Sequence, residues 1–218
     1  MFGIFLPVDK AHFLHFQGLL YSLKDLLNVD YKIHIIDIGL NIKQIEILNK
    51  RFSFLNFEIN KLKSSRDDKL SYRFKIKTIE MMYNSNYDYT MMLDSKNHLK
   101  LCLSSIVINV EKYNVLINEI VALEHEWTHN TCLLNMGIIN DMEIINSNQY
   151  QSNNPVFYNK KCKDIFLDII KYGNDDNCLC PLGSMKSLIG GDKNTHRQDQ
   201  SVISIVLKKH NIRAVNLI

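Results

Sequence analysis

Apolar positions along the chain fall into two alternating rhythms. Phe2 to Val8 is an almost unbroken apolar run closed by Asp9, a length that suits a buried strand whose aspartate caps the following helix. Phe13, Phe16, Leu20, Leu23 and Leu27 then recur at helical spacing. Tyr31 to Asp37 is a second short run rich in β-branched residues, and Asn41 precedes a helical pattern of Ile42, Ile45, Leu48 and Phe52. Residues 55–59 predict a third strand, and the mixed-charge stretch 61–69 predicts a loop. A third helix is expected from near Ser71, burying Tyr72, Ile76, Ile79 and Tyr83, before the apolar run 87–94 stops on the carboxylate of Asp94. This alternation predicts an α/β fold with a mostly parallel central sheet flanked by helices. Ligands of such sheets collect beyond the carboxyl ends of the strands. Asp9 and Asp94 both stand at such ends.

The second half is less regular. Residues 99–110 read as one or two strands, 115–127 as a segment containing a helix, and 130–154, rich in Asn and Ser, as irregular structure with short strands. Ile165, Phe166, Ile169 and Ile170 mark a helix after Asn159; residues 173–191 predict a loop; Val202, Ile203, Val206 and Leu207 mark a final helix, and 212–217 a last strand. No repeat or break in composition divides the chain, so residues 1–218 are expected to form a single domain.

Composition narrows the classes. Hydrophobic residues at 46% and charged residues at 22% supply a full core and argue against disorder. Twenty-six Lys and Arg against 23 Asp and Glu leave +3, too little to point to nucleic acid or an anionic membrane surface. The apolar runs are strand-sized, so no membrane span is expected. The first nine residues lack a basic leader and meet Pro7 and Asp9 early, which does not read as a signal peptide. Cysteines at 102, 132, 162, 178 and 180 are odd in number and scattered, as in the reduced thiols of a cytoplasmic protein. Cys178 and Cys180 are too close to complete a zinc site by themselves.

Two constellations compete for the chemistry. His125-Glu126-Trp127-Thr128-His129 has the spacing that, on a helix, sets two imidazoles on one face to hold zinc while the glutamate polarises a bound water. Its surroundings are poor for that role: Glu124 precedes it, Asn130 and Thr131 follow, and Glu143 is the only evident further ligand downstream. The other constellation is dispersed. It comprises Asp9; Arg73 and Lys77 one helical turn apart; Asp94, Ser95, Lys96, Asn97 and His98; and His196 to Ser201 before the last helix. Cations on the third helix beside Asp94 would form a clamp suited to a diphosphate.

The order of elements up to Leu93-Asp94-Ser95 resembles the nucleotide-sugar half of a GT-A fold glycosyltransferase. The stretch Arg197-Gln198-Asp199-Gln200-Ser201-Val202-Ile203-Ser204 is similar to the Asp-Gln and apolar helix signature of many such enzymes. Asn154-Pro155-Val156-Phe157-Tyr158 resembles their acceptor-side segment. The likeness is to small enzymes of bacteria and large DNA viruses, with residues 1–100 as the nucleotide-sugar half and 101–218 as the acceptor-side half. It implies transfer of a hexose or deoxyhexose from a nucleotide diphosphate sugar, a UDP-sugar first, to a glycan or other hydroxyl acceptor. It further implies that Pro7, Val8 and Asp9 hold the nucleoside, and that Asp94 and Ser95 with Lys96, Arg73 or Lys77 meet the diphosphate. Asp199, with Asp192 behind it, is the implied catalytic carboxylate, and Trp127 a platform for the acceptor sugar. The family's metal-binding Asp-x-Asp is here Asp94-Ser95-Lys96. Asp94 is therefore expected to hold Mn²⁺ or Mg²⁺ weakly, helped by Asn97, His98, Asp192 or His196; the alternative is that Lys96 itself neutralises the diphosphate. A zinc-dependent hydrolase built on His125, Glu126 and His129, or an inactive nucleotide- or sugar-binding module, stand as the other readings.

Overall fold

The first apolar run pairs on both sides with later ones, because a strand buried on both faces needs neighbours for its backbone as well as its side chains. A computed structural model describes residues 1–63, 65, 69–183 and 196–215. Strand β1 (Phe2–Val8), every residue of it buried, lies between β2 (Tyr31–Asp37) and β4 (Tyr89–Met92), parallel to both. Strand β3 (Phe57–Lys61) pairs parallel with β2. Beyond β4 the direction reverses: β8 (Val156–Tyr158) pairs antiparallel with β4, and β5 (Val115–Leu116) antiparallel with β8. The sheet order is β3-β2-β1-β4-β8-β5. Strands β6 (Glu119–Leu123) and β7 (Asn148–Tyr150) form a separate antiparallel pair.

Alternating strand residues feed two cores. Ile4, Leu6, Ile33, Ile35 and Met91 face helices α1 (Phe13–Leu23), α2 (Ile42–Arg51) and α4 (Leu103–Tyr113) through Phe16, Leu20, Leu48 and Ile106. Phe5, Ile36 and Met92 face α3 (Arg73–Tyr83), α8 (Lys163–Gly173) and α10 (Gln198–Lys209) through Ile76, Ile79, Phe166, Val202 and Val206. Short helical turns α5 (Glu124–Trp127), α6 (Asn130–Asn135), α7 (Met142–Ile145) and α9 (Asp176–Leu179) fill the second half.

Several expectations are corrected. Strand β3 begins at Phe57, two residues later than the apolar run suggested. Residues 103–113 are helical: Leu103, Ile106 and Val110 are the buried positions, and docking of that stripe overrides the β preference of its Ile and Val. Residues 115–127 do contain a helix, but only the single turn 124–127, preceded by two strands, since β5 completes the sheet edge. Residues 130–154 contain two helical turns as well as the short strand β7, and α9 interrupts the predicted loop after Gly173. Residues 212–215 have no strand, and 216–217 lie outside the described residues.

Candidate functional site

The parallel strands β1 and β4 end side by side, so the chain segments leaving them must diverge and leave a crevice. The Pro7-Val8-Asp9 turn and the Asp94-Ser95-Lys96-Asn97 turn form two of its walls. Ile38, His12, Lys69, Tyr72, Phe74, Lys75 and Asn153 complete a cleft of about 330 Å³. Asp9 Oδ1 accepts from the His12 amide at 2.9 Å and sits 2.8 Å from His12 Nδ1. It thus caps the turn before α1 rather than the helix itself, whose N-cap is His12. Burial opposes ionisation of Asp9, but the His12 contacts outweigh it and lower its pKa.

The Asp94 turn is clamped by the segment leading into β8. The Asp94 amide donates to the Asn153 carbonyl at 2.9 Å, and Asn97 Nδ2 donates to the same carbonyl at 2.7 Å. The segment read as acceptor-side is therefore the strand running back beside β4, and it delivers Asn153 to the cleft wall.

Behind this wall lies a buried charge triad. Lys75 Nζ is 2.9 Å from Asp94 Oδ2 and 3.3 Å from Asp199 Oδ2. Asp199 Oδ2 also accepts from Ser152 Oγ at 2.5 Å. Burial alone would strip the Lys75 proton; the carboxylates of Asp199 and Asp94 outweigh it and raise the pKa. Asp94 keeps 32% of its side chain exposed while Lys75 and Asp199 keep 5% and 6%, so Asp94 is the member with surface in the cleft. Burial, reinforced by the Asp199 charge, raises the Asp94 pKa against the pull of Lys75. Tyr72, which lies against Lys75 with its ring centroid 5.5 Å from Nζ, has φ of +58°. A bulky residue in the left-handed region is an outlier of the kind that gathers at functional sites.

The candidates from the sequence separate accordingly. Pro7, Val8, Asp9, Asp94, Ser95 and Lys96 line the cleft. Arg73 and Lys77 do not: Arg73 pairs with Asp176 and donates to the Gly173 carbonyl at 3.4 Å, and Lys75 between them is the cation that enters. Asp199 is reached only through Lys75 and Ser152. Asp192 lies outside the described residues. Trp127 is buried, with the Arg197 guanidinium 3.8 Å from its ring centroid, and lines no part of the cleft. His12, Lys69, Tyr72, Phe74, Lys75 and Asn153 were not anticipated. Lys75 had a signal, since it shares the i, i+4, i+7 stripe with Ile79 and Met82.

The zinc arrangement is corrected. Helix α5 ends at Trp127, and Thr128 is extended (φ −128°, ψ 123°), so His125 and His129 share no helix face. His125 Nδ1 meets the Ile145 carbonyl at 2.9 Å, Glu126 accepts from the Leu123 amide, and His129 Nδ1 accepts from the Thr131 amide. The neighbouring Glu124 holds this segment instead: it is fully buried and pairs with Lys208 at 2.7 Å. Asp94 is engaged by Lys75, Lys96 stands two positions on, and among the described residues no three His, Cys, Asp or Glu side chains converge.

No family model matches the chain, and no curated protein matches it in sequence. Solved structures do match its fold. The bifunctional glycosyltransferase WbbM superposes with a TM-score of 0.62 at 11% identity, over 94% of this chain and 37% of that one. The galactosyltransferase LgtC, solved with donor and acceptor sugar analogues, gives 0.58 at 14%, over 92% and 69%. Mouse xyloside xylosyltransferase 1 gives 0.58 at 10%, over 98% and 84%. The chain thus spans little more than a third of WbbM and most of the xylosyltransferase, and it has the GT-A-like fold these glycosyltransferases share.

Proposed function

We propose that the protein transfers a sugar from a nucleotide diphosphate sugar, a UDP-sugar first, to a hydroxyl group of a glycan or other acceptor. The observation that carries this reading is the cleft at the carboxyl ends of β1 and β4, where exposed Lys96 stands beside the Asp94–Lys75–Asp199 triad. Its fold is that of LgtC, solved with donor and acceptor analogues, and of the S. aureus protein TarS, solved with UDP (TM-score 0.50, 16% identity, over 81% of this chain and 52% of that one).

In this reading the Pro7-Val8-Asp9 turn and His12 receive the nucleoside, and Lys69 and Lys96 face the phosphates. Asp94 takes the proton of the acceptor hydroxyl. A carboxylate raised by burial and keeping surface in the cleft suits a general base. Asp199 is a positioning residue, fixing Lys75 and through it Asp94. Melting temperature should rise by roughly 5–10 °C with UDP or its sugars near 100 times Kd, from the mass-action gain and the response of a chain this size. UDP release should require an acceptor or, more slowly, water. A protein that binds no nucleotide, or that binds UDP-sugars and turns none over, would defeat the transferase reading.

A further inference from the structure

We infer that this cleft meets the departing diphosphate with lysine ammonium groups and works without a divalent cation. The inference rests on the donor-site reading above and concerns how that site handles charge.

The position between Asp94 and Asp199, where an ion shared by two carboxylates would sit, is taken by Lys75 Nζ at 2.9 and 3.3 Å. That ammonium is buried and carried on a helix packed against the sheet, so an incoming metal ion would have to displace a cation held by both carboxylates. The residue two beyond Asp94 is Lys96, which puts a positive charge where the family pattern has a second carboxylate. A divalent ion approaching Asp94 would therefore meet two ammonium groups and one available carboxylate. Two of the neutral oxygens nearby are engaged, the Asn153 carbonyl by Asn97 Nδ2 at 2.7 Å and Asn97 Oδ1 by Asn153 Nδ2 at 3.4 Å. Asn153 Oδ1 has no hydrogen-bond partner among the described residues, and a single neutral oxygen adds little charge to hold a divalent ion against the two ammonium groups.

The same charges serve a diphosphate. When the bond between the anomeric carbon and the diphosphate oxygen breaks, its electron pair stays on the diphosphate. Lys96, exposed where it lines the cleft, meets that growing charge, and Lys69 lines the same cleft. The acceptor oxygen forms the new bond to the anomeric carbon and gives its proton to Asp94. Lys75 holds Asp94 and Asp199 together throughout, so the fixed cation takes over the organising part of a metal.

The test uses the purified full chain freed of metals on a chelating resin. UDP and uridine affinities by calorimetry, and UDP-sugar turnover, are measured with EDTA and with excess Mn²⁺. Affinity and turnover should differ by less than about threefold between the two conditions, under 1 kcal/mol by the tenfold rule. Lys96→Ala, at an exposed position, should weaken UDP about tenfold or more and uridine hardly at all, with Lys96→Arg recovering part of the loss. Loss of UDP binding or turnover on chelation, restored by Mn²⁺, would overturn the inference while leaving the transferase reading standing. So would equal weakening of UDP and uridine by Lys96→Ala, or stoichiometric Mn²⁺ binding to the nucleotide-free protein by electron paramagnetic resonance. Absence of any nucleotide binding in either condition would instead remove the donor site, and this inference with it.

Discussion

Asp199 acts on the cleft through charge rather than contact, and that makes its contribution separable from a packing role. Its carboxylate shares Lys75 with Asp94 and raises the Asp94 pKa by like-charge repulsion, on top of burial. Asp199→Asn keeps the shape and leaves a partner for Ser152 but removes that charge. Lys75 then serves Asp94 alone, and the Asp94 pKa falls. The acidic limb of the turnover–pH profile should move to lower pH, and turnover near neutrality should drop roughly 10²-fold as the base weakens. An unmoved limb with a lowered melting temperature would show that Asp199 only holds the fold. Sequence reading reached Asp199, Asp94 and Asp9 because carboxylates after strands or before helices are conspicuous. It missed Lys75 for a geometrical reason: at 100° per residue, Lys75 points about 200° away from both Arg73 and Lys77, the cations chosen instead. Arg73 turns toward Asp176 and Gly173, while Lys75 runs in phase with Ile79 and Met82. A lysine on an apolar stripe implies a buried anion, but which anion is set by contacts 19 and 124 residues away, to Asp94 and Asp199, and spacing along the helix does not contain them.

Strand β1 carries the cleft because its neighbours let it run straight through the sheet centre, and Gly3 is the point where one of them presses closest. A Cβ at Gly3 would lie 2.4 Å from Cδ2 of Tyr87. Gly3→Ala must displace that ring and so disturb its contact with His34, whose Nε2 is 2.7 Å from the Tyr87 hydroxyl and whose ring stacks on Phe5 at 4.5 Å. The expected cost is about 1–3 kcal/mol, or roughly 2–10 °C in melting temperature, with UDP affinity unchanged because the cleft is at the other end of β1. A neutral Gly3→Ala would show that the ring is looser than its contacts imply. The elements most legible from sequence were those whose burial follows from their own pattern. The strands Phe2–Val8 and Tyr31–Asp37 are of this kind, as is α2, where Asn41 and Gln44 form the reciprocal cap that the Asn41 position suggested. Residues 99–110 read as strand and the helix within 115–127 is shorter than its length suggests, because both stretches are rich in Ile and Val. Their state is decided by what they dock on: the sheet face for Leu103, Ile106 and Val110, the sheet edge for Val115 and Leu116.

Helix α10 meets the segment 124–129 through a buried histidine, which makes this junction sensitive to acid. His196 is fully buried, its Nδ1 accepts from the His129 amide at 3.3 Å, and the Arg197 amide donates to the Trp127 carbonyl at 3.1 Å. Burial, helped by the nearby His129, pushes the His196 pKa down from 6.5 to about 4. The unfolded chain therefore binds a proton through that interval and the folded chain does not. Stability from this group is complete above pH 6.5, declines as pH falls toward 4, and is level below that. At pH 5 the loss is about 2 kcal/mol, and its full extent about 3 kcal/mol, from 1.36 kcal/mol per unit. His34, lowered chiefly by burial against the pull of Glu58, adds to the same slope. Asp9, held below its ordinary value by His12, loses its contribution only in more acidic solution, so the windows are distinct. His196→Asn offers the His129 amide an oxygen in place of Nδ1 and cannot titrate. Between pH 7 and pH 5 the wild-type melting temperature should fall by about 4–8 °C more than that of the variant. Parallel curves would place the acid sensitivity elsewhere, whereas converging curves would locate it at the joint that sets Asp199 behind Lys75, so that acid acts on the cleft through its back wall as well as through its own carboxylates.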